Sequence, residues 1–245
     1  MRIVIIIAIL IGYLTVFAGD FRLEIYNAYI SGDMDQWKLV MDKMEREWNS
    51  NKDSELLFDL TEAYYGYIAW CISVKKRDMA REFLVKAEKN IELLLASNPS
   101  WPDVYSIKGA LYGLRVGLEP LKAPVYGKKS VENNNRAIEL GPSGPRGWME
   151  RANIEFYKPA IFGGSKNRAV PLYEKAVRLF EANRELMKKN WIYLNCLAGL
   201  ANAYAETGAI RQADQVYRRI LIIEPGFKWI KEDVYPNFKT RYPDV

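Results

Sequence analysis

Histidine is absent from the 245 residues, and cysteine occurs only twice, at Cys71 and Cys196. Without an imidazole the chain has no His general base and no Ser–His or Cys–His nucleophile, and it lacks the ligand of most zinc and haem sites. Two thiols are too few to close a metal site. No cofactor and no catalytic activity are therefore expected. No run of five or more basic residues occurs, so the net charge of +5 carries no nucleic-acid partner. No stretch alternates β-branched and polar residues over a strand's length, and no low-complexity linker divides the chain.

A membrane-spanning run is also missing. The apolar stretch Ile3 to Phe17 has 15 residues, short of the roughly 20 that a spanning helix needs. Arg2 precedes it, and Val16 and Ala18 stand at −3 and −1 of a cleavage before Gly19. That pattern reads as an export signal over residues 1–18, leaving one domain over 19–245 and a periplasmic location. The alternative is an uncleaved segment that anchors the chain in the inner membrane. No Cys follows the stretch, which argues against a lipoprotein anchor. In an oxidising compartment Cys71 and Cys196 could pair. Each also reads as a small buried residue within its helix, and their separation in sequence does not decide.

What is present is helix-forming. The chain is 49% apolar, 27% charged and 13% aromatic, an ordinary globular balance. Asp20 to Ile30 and Asp33 to Trp48 form a hairpin of helices around Ser31-Gly32, and Asp53 or Ser54 caps the next helix. Leu197, Leu200, Ala201, Tyr204, Ala213, Tyr217, Ile220 and Pro225 then stand at positions 4, 7, 8, 11, 20, 24, 27 and 32 counted from Leu194. Small residues at 8 and 20 let two helices approach closely. Large ones fill the space around that crossing, and Pro ends the second helix.

This spacing resembles the tetratricopeptide repeat of roughly 34 residues. The resemblance covers about residues 54–226, with repeats at about 54–99, 100–142, 145–181 and 194–227. It implies an all-α, right-handed α-α superhelix of about four helix pairs. The hairpin precedes them, and an aromatic-rich capping helix, broken near Pro236, follows. Lys108 at position 7 and Glu155 at position 11 depart from the pattern.

Two insertions between paired helices look alike. Pro124 to Ser130 and Pro159 to Lys166 each run from Pro through an aromatic and Gly to a Ser placed to cap a helix. They predict either two well-capped turns or a ligand-facing rim carrying Tyr126, Phe162 and Lys166. Lys128, Lys129 and Lys166 beside helix N-termini could also hold an anion.

In the family, first-helix positions 2, 5, 9 and 12 face a groove. Carried to this chain they are Arg146, Met149, Asn153 and Phe156 in the third repeat, and Asn195, Ala198, Asn202 and Ala205 in the fourth. Asn153 and Asn202, both at position 9, are implied to hold ligand backbone. Met149 and Ala198 stand where a carboxylate clamp has Lys, so carboxylate specificity is not expected. The resemblance implies a non-catalytic scaffold that docks a protein or peptide. The rival reading is a periplasmic repeat protein associated with a transporter, binding a small solute in a pore lined by Tyr64, Tyr67, Trp70, Tyr112 and Phe156.

Overall fold

The computed structural model describes residues 20–245. The expected export segment at 1–18 lies outside the described residues. Among the described residues no strand forms. Helices α1 (Phe21–Ser31) and α2 (Met34–Asn51) make the leading hairpin. Three pairs follow: α3 (Ser54–Ser73) with α4 (Arg77–Ser97), α5 (Pro102–Leu118) with α6 (Ala123–Leu140), and α7 (Pro145–Tyr157) with α8 (Lys166–Glu181). A short helix α9 (Arg184–Met187) leads into the last pair, α10 (Trp191–Glu206) and α11 (Ile210–Ile223). A wide, π-type turn over Trp229–Val234 then runs into α12 (Tyr235–Arg241). The fold is an all-α solenoid of helix pairs.

Local chemistry sets these boundaries. The carboxylates of Asp20, Asp33 and Asp53 accept from the backbone N–H of Leu23, Gln36 and Leu56 at 3.1, 2.8 and 2.7 Å, and so satisfy orphan donors at three helix starts. Gly32 ends α1 in the left-handed region, at φ 69°. The terminal segment changes from the wide turn to α12 at Tyr235, next to Pro236. That proline sits in the first turn of α12, where its missing N–H costs nothing.

The crossings follow the repeat logic. Ala152, Ala169, Ala201 and Ala213 are fully buried, and Leu197, Leu200, Tyr217 and Ile220 pack around the last crossing. In the second pair Gly109 takes the small position. A Cβ there would come within 3.0 Å of the Ser130 carbonyl oxygen on α6. Burial along α5 passes to Val104, Ile107 and Leu111, while Lys108 stays half-buried. Glu155 is buried, but its carboxylate pairs with Arg151 at 3.4 Å and Arg168 at 2.9 Å. Those partners explain how a charged residue is tolerated there.

Two expectations are corrected, the first insertion and the tyrosine-lined pore. The first insertion is not a loop ending at a Ser cap. Helix α6 begins at Ala123, so Tyr126, Gly127 and the lysines are helical, and Ser130 is buried mid-helix. Pro124 lies in that first turn, where it starts a helix as readily as it ends one. The second insertion behaves as expected, with Ser165 accepting from the Arg168 N–H. Tyr64 and Tyr67 line no pore: both are core residues packed on Phe83, with centroids at 5.3 and 5.0 Å. Cys71 and Cys196 are free and buried.

The solenoid closes on itself. Along the inner side α3 packs on α5, α5 on α7 and α7 on α10; α10 then meets α1, and α2 returns the circuit to α3. The closing joint is aromatic. Tyr29 contacts the rings of Trp37, Trp191 and Phe227 at 6.0, 5.4 and 4.9 Å, and Trp37 meets Trp191 edge-on at 5.2 Å. The Trp37 indole donates to the Ala63 carbonyl at 3.1 Å, and the Tyr26 hydroxyl donates to Glu224 at 2.7 Å.

Gly66 makes room for this joint: a Cβ there would lie 2.8 Å from the Trp191 ring and 2.9 Å from Trp37. In an open helix Gly66→Ala would stabilise by about 1 kcal/mol. Here it is expected to destabilise, by ~1–3 kcal/mol of overpacking. Thermal unfolding checks the sign, at roughly 2–4 °C of Tm per kcal/mol for a chain of this size.

Candidate binding site

The inner helices α1, α3, α5, α7 and α10 run parallel, so their N-terminal ends converge at one end of the ring. A cavity of about 510 Å³ opens there. Phe21, Phe58, Trp101 and Trp191 form its apolar wall. Phe58 and Trp101 stack at 5.2 Å and 17°.

Ion pairs cross this mouth. Arg146, at the start of α7, donates to Glu62 of α3 at 2.7 Å and approaches Asp103 of α5 at 3.5 Å. Arg22 of α1 bonds Asp59 of α3 at 2.6 Å. Burial pushes the carboxyls of Asp59 and Asp103 up from their ordinary range, against the pull of the two guanidiniums. Burial opposes the charge on Arg146 as well, but Glu62 and Asp103 outweigh it and raise its pKa. The wall also carries Glu55, Glu185, Lys188 and Lys189. The mouth therefore presents both signs of charge around an aromatic floor.

Deeper in the ring lies a second polar group. Glu150 of α7 is buried; Asn153 donates to it at 3.0 Å, and the Tyr65 hydroxyl donates from α3. Tyr173 reaches through from α8, against Gly199, and donates to the Asn153 oxygen. Burial lifts the Glu150 carboxyl from 4.5 to about 7, opposed by those two donors and reinforced by Glu62.

The groove residues divide between places. Arg146 belongs to the mouth, and Asn153 to the interior network, where Tyr173 and Glu150 already occupy its amide. Met149 and Ala198 are core. Asn195, half-buried, accepts from the Tyr29 hydroxyl at 3.5 Å as part of the joint. Asn202 is half-buried on α10. Phe156 packs edge-on against Tyr157 at 4.9 Å, under the Lys166 ammonium. Lys166 pairs with Glu206, so it is not a free anion ligand. Tyr126 stacks on Tyr112 at 6.2 Å, and Phe162 is exposed. These last residues lie at the opposite end from the mouth.

The wall aromatics were legible by one further step. Positions 2, 5, 9 and 12 of the first pair are Glu55, Phe58, Glu62 and Tyr65, and each of the four takes part in the mouth or the network beneath it. Phe21 and Arg22 precede any repeat and carry no such signal.

No protein-family model matches the sequence, and no curated protein matches it. Among solved structures the chain is similar to the HusA haemophore from Porphyromonas gingivalis. The TM-score is 0.59 and the identity 20%, covering 75% of this chain and 93% of that one. It is also similar to TTC0263, a thermophilic tetratricopeptide-repeat protein of Thermus thermophilus. There the TM-score is 0.54 and the identity 18%, covering 91% and 95%. The fold is tetratricopeptide-like.

Glu150 makes stability fall with rising pH. Its neutral form is favoured in the fold, so its contribution is complete below about 4.5 and is lost as pH climbs through about 7. At roughly 1.4 kcal/mol per pKa unit, the span from 4.5 to about 7 amounts to about 3 kcal/mol. Glu150→Gln stays neutral, so its Tm relative to the parent chain is expected to rise between pH 5 and 8, measured by calorimetry.

Proposed function

We propose that the chain is a non-catalytic binding scaffold of the exported, periplasmic kind, and that it takes its partner at the mouth of the ring. The cavity carries this reading. A volume of about 510 Å³ falls within the roughly 300–1,000 Å³ usual for ligand pockets. It combines flat apolar walls with a few fixed charges, the combination that orients a ligand. An extended peptide laid along the inner face is not favoured, because Trp37, Trp191 and Tyr65 fill that face. What fits instead is the end of a peptide segment, or a side chain presented by a partner protein.

The same enclosure favours a second reading, a small solute held at the mouth as the cargo of a transport system. The wall would be Phe58, Trp101 and Trp191 rather than the tyrosines of α3. The likeness to a haemophore is compatible with a flat ligand stacked between such rings. A haem here would have no His to ligate its iron, since the chain contains none.

Trp101→Ala separates these readings from their failure. The residue is half-buried at the start of α5, and its loss leaves the helix crossings untouched. Affinity capture from the native host is expected to recover one stoichiometric partner with the parent chain, and more than tenfold less with the variant at equal Tm. Native mass spectrometry that finds a bound small molecule, lost in the variant, selects the solute reading. Equal recovery by both chains overturns the mouth as the site.

A further inference from the structure

The turns within the helix pairs all lie at the end opposite the mouth, and neighbouring turns are tied together. Arg77, the first residue of α4 beside the α3–α4 turn, donates to the carbonyls of Gly117 and Leu118 at the end of α5, at 3.2 and 2.8 Å. Lys166 and Arg241 both reach Glu206 at the end of α10. This rim displays large apolar side chains: Leu121 is 98% exposed, Ile161 85%, Tyr157 71% and Phe162 62%.

These tips sit on built supports. Arg115 grips Glu88 and Glu119 and reaches the Tyr126 hydroxyl, which fixes the base of the Leu121 turn. The Ile161–Phe162 turn is closed by Phe162 N–H to the Pro159 carbonyl at 2.9 Å and Ser165 N–H to the Glu155 carbonyl at 2.8 Å. Gly163 takes φ 83°, and a Cβ on Gly164 would collide with the Lys158 carbonyl oxygen. Two ordered turns thus hold bare Leu, Ile and Phe out into solvent, where water penalises them.

The surrounding charge says what covers them. Lys75, Lys129 and Lys158 have no carboxylate partner among the described residues. The nearby carboxylates are already engaged: Glu119 by Arg115 and Lys122, Glu206 by Lys166 and Arg241, Asp78 by Arg81. The acidic residues near this end that make no salt bridge are Asp33 and Asp35, which start α2, and Glu82 in the second turn of α4. The surface from α3 to α8 is therefore basic, and its apolar groups are convex tips rather than a groove. A protein partner would need a matching pair of pockets. A bilayer needs none: the tips enter the acyl boundary while lysine stems reach the headgroup phosphates.

We propose that this rim docks on an anionic membrane surface, with Leu121, Ile161 and Phe162 entering the headgroup boundary and the unpaired Lys75 and Lys158 at phosphate level. The described chain begins at the opposite end, so a reporter on the rim reads this surface independently of the apolar stretch Ile3 to Phe17.

The test uses the full chain with an environment-sensitive NBD label on Ile161→Cys or, as a control at the mouth end, on Asn51→Cys. Cys71 and Cys196 are buried, and burial pushes the Cys71 thiol up to about 11, so labelling is confined to the new thiol. With phosphatidylglycerol–phosphatidylcholine vesicles the label at 161 is expected to shift blue and brighten severalfold. It stays unchanged with pure phosphatidylcholine, and the label at 51 stays unchanged with both. Lys75→Gln and Lys158→Gln should each weaken partitioning about fivefold, and Leu121→Ser with Phe162→Ser should abolish it at unaltered Tm. No change at 161 on anionic vesicles, or an equal change at 51, overturns the proposal. So does a response at 161 that appears only when a partner protein is added.

Discussion

Four rings meeting over a glycine hold this molecule in its shape. Tyr29 and Trp37 come from the leading hairpin, Trp191 and Phe227 from the last pair and its exit, and Gly66 of α3 leaves the space they need. A stack of helix pairs usually gains stability from contacts between neighbours alone. Here the two ends of the stack also bury large aromatic surface against each other. Such rings contribute well beyond a single neighbour contact. The joint converts a curved stack with an open inner face into an enclosure with a mouth.

That enclosure accounts for the unusual electrostatics inside. Five helix N-termini point into the mouth, and the first turns of α3 and α5 carry Glu55 and Asp103 where the dipole favours negative charge. Arg146 and the more exposed Arg22 offset the carboxylates, and the desolvated pair is Arg146 with Glu62. Removing one member would leave an uncompensated charge, which costs more than the pair contributes. Glu150 lacks a cationic partner and instead has a neutral shell of Tyr65 and Asn153, which suits a carboxyl that carries its proton.

The parts of the fold legible in the sequence were the ones whose physics is local. Ala201 and Ala213 announce their crossing because they stand a fixed distance apart in one hairpin. Asp20, Asp33 and Asp53 announce helix starts through bonds three residues long. The Pro124 to Ser130 segment misled because Pro and Gly read as a turn, whereas Pro in a first turn and Gly127 within α6 are both compatible with helix. The joint and the mouth were not legible for a different reason. Their partners, such as Tyr26 with Glu224 or Arg146 with Glu62, are 198 and 84 residues apart, and no spacing rule connects them. The surplus of aromatics was visible, but not which of them would find one another.

The joint also sets an order of events. Residues 26–37 precede 191–227 in the chain, so the leading hairpin waits with Tyr29 and Trp37 uncovered until Trp191 and Phe227 reach it. Closing a loop of that length is entropically slow, and until then the hairpin has only α3 to lean on. Maturation therefore ends with a long-range snap rather than with the addition of one more unit. A chain cut before Trp191 keeps Tyr29 and Trp37 uncovered, an apolar surface by which a protease or a chaperone can tell it apart from the finished protein.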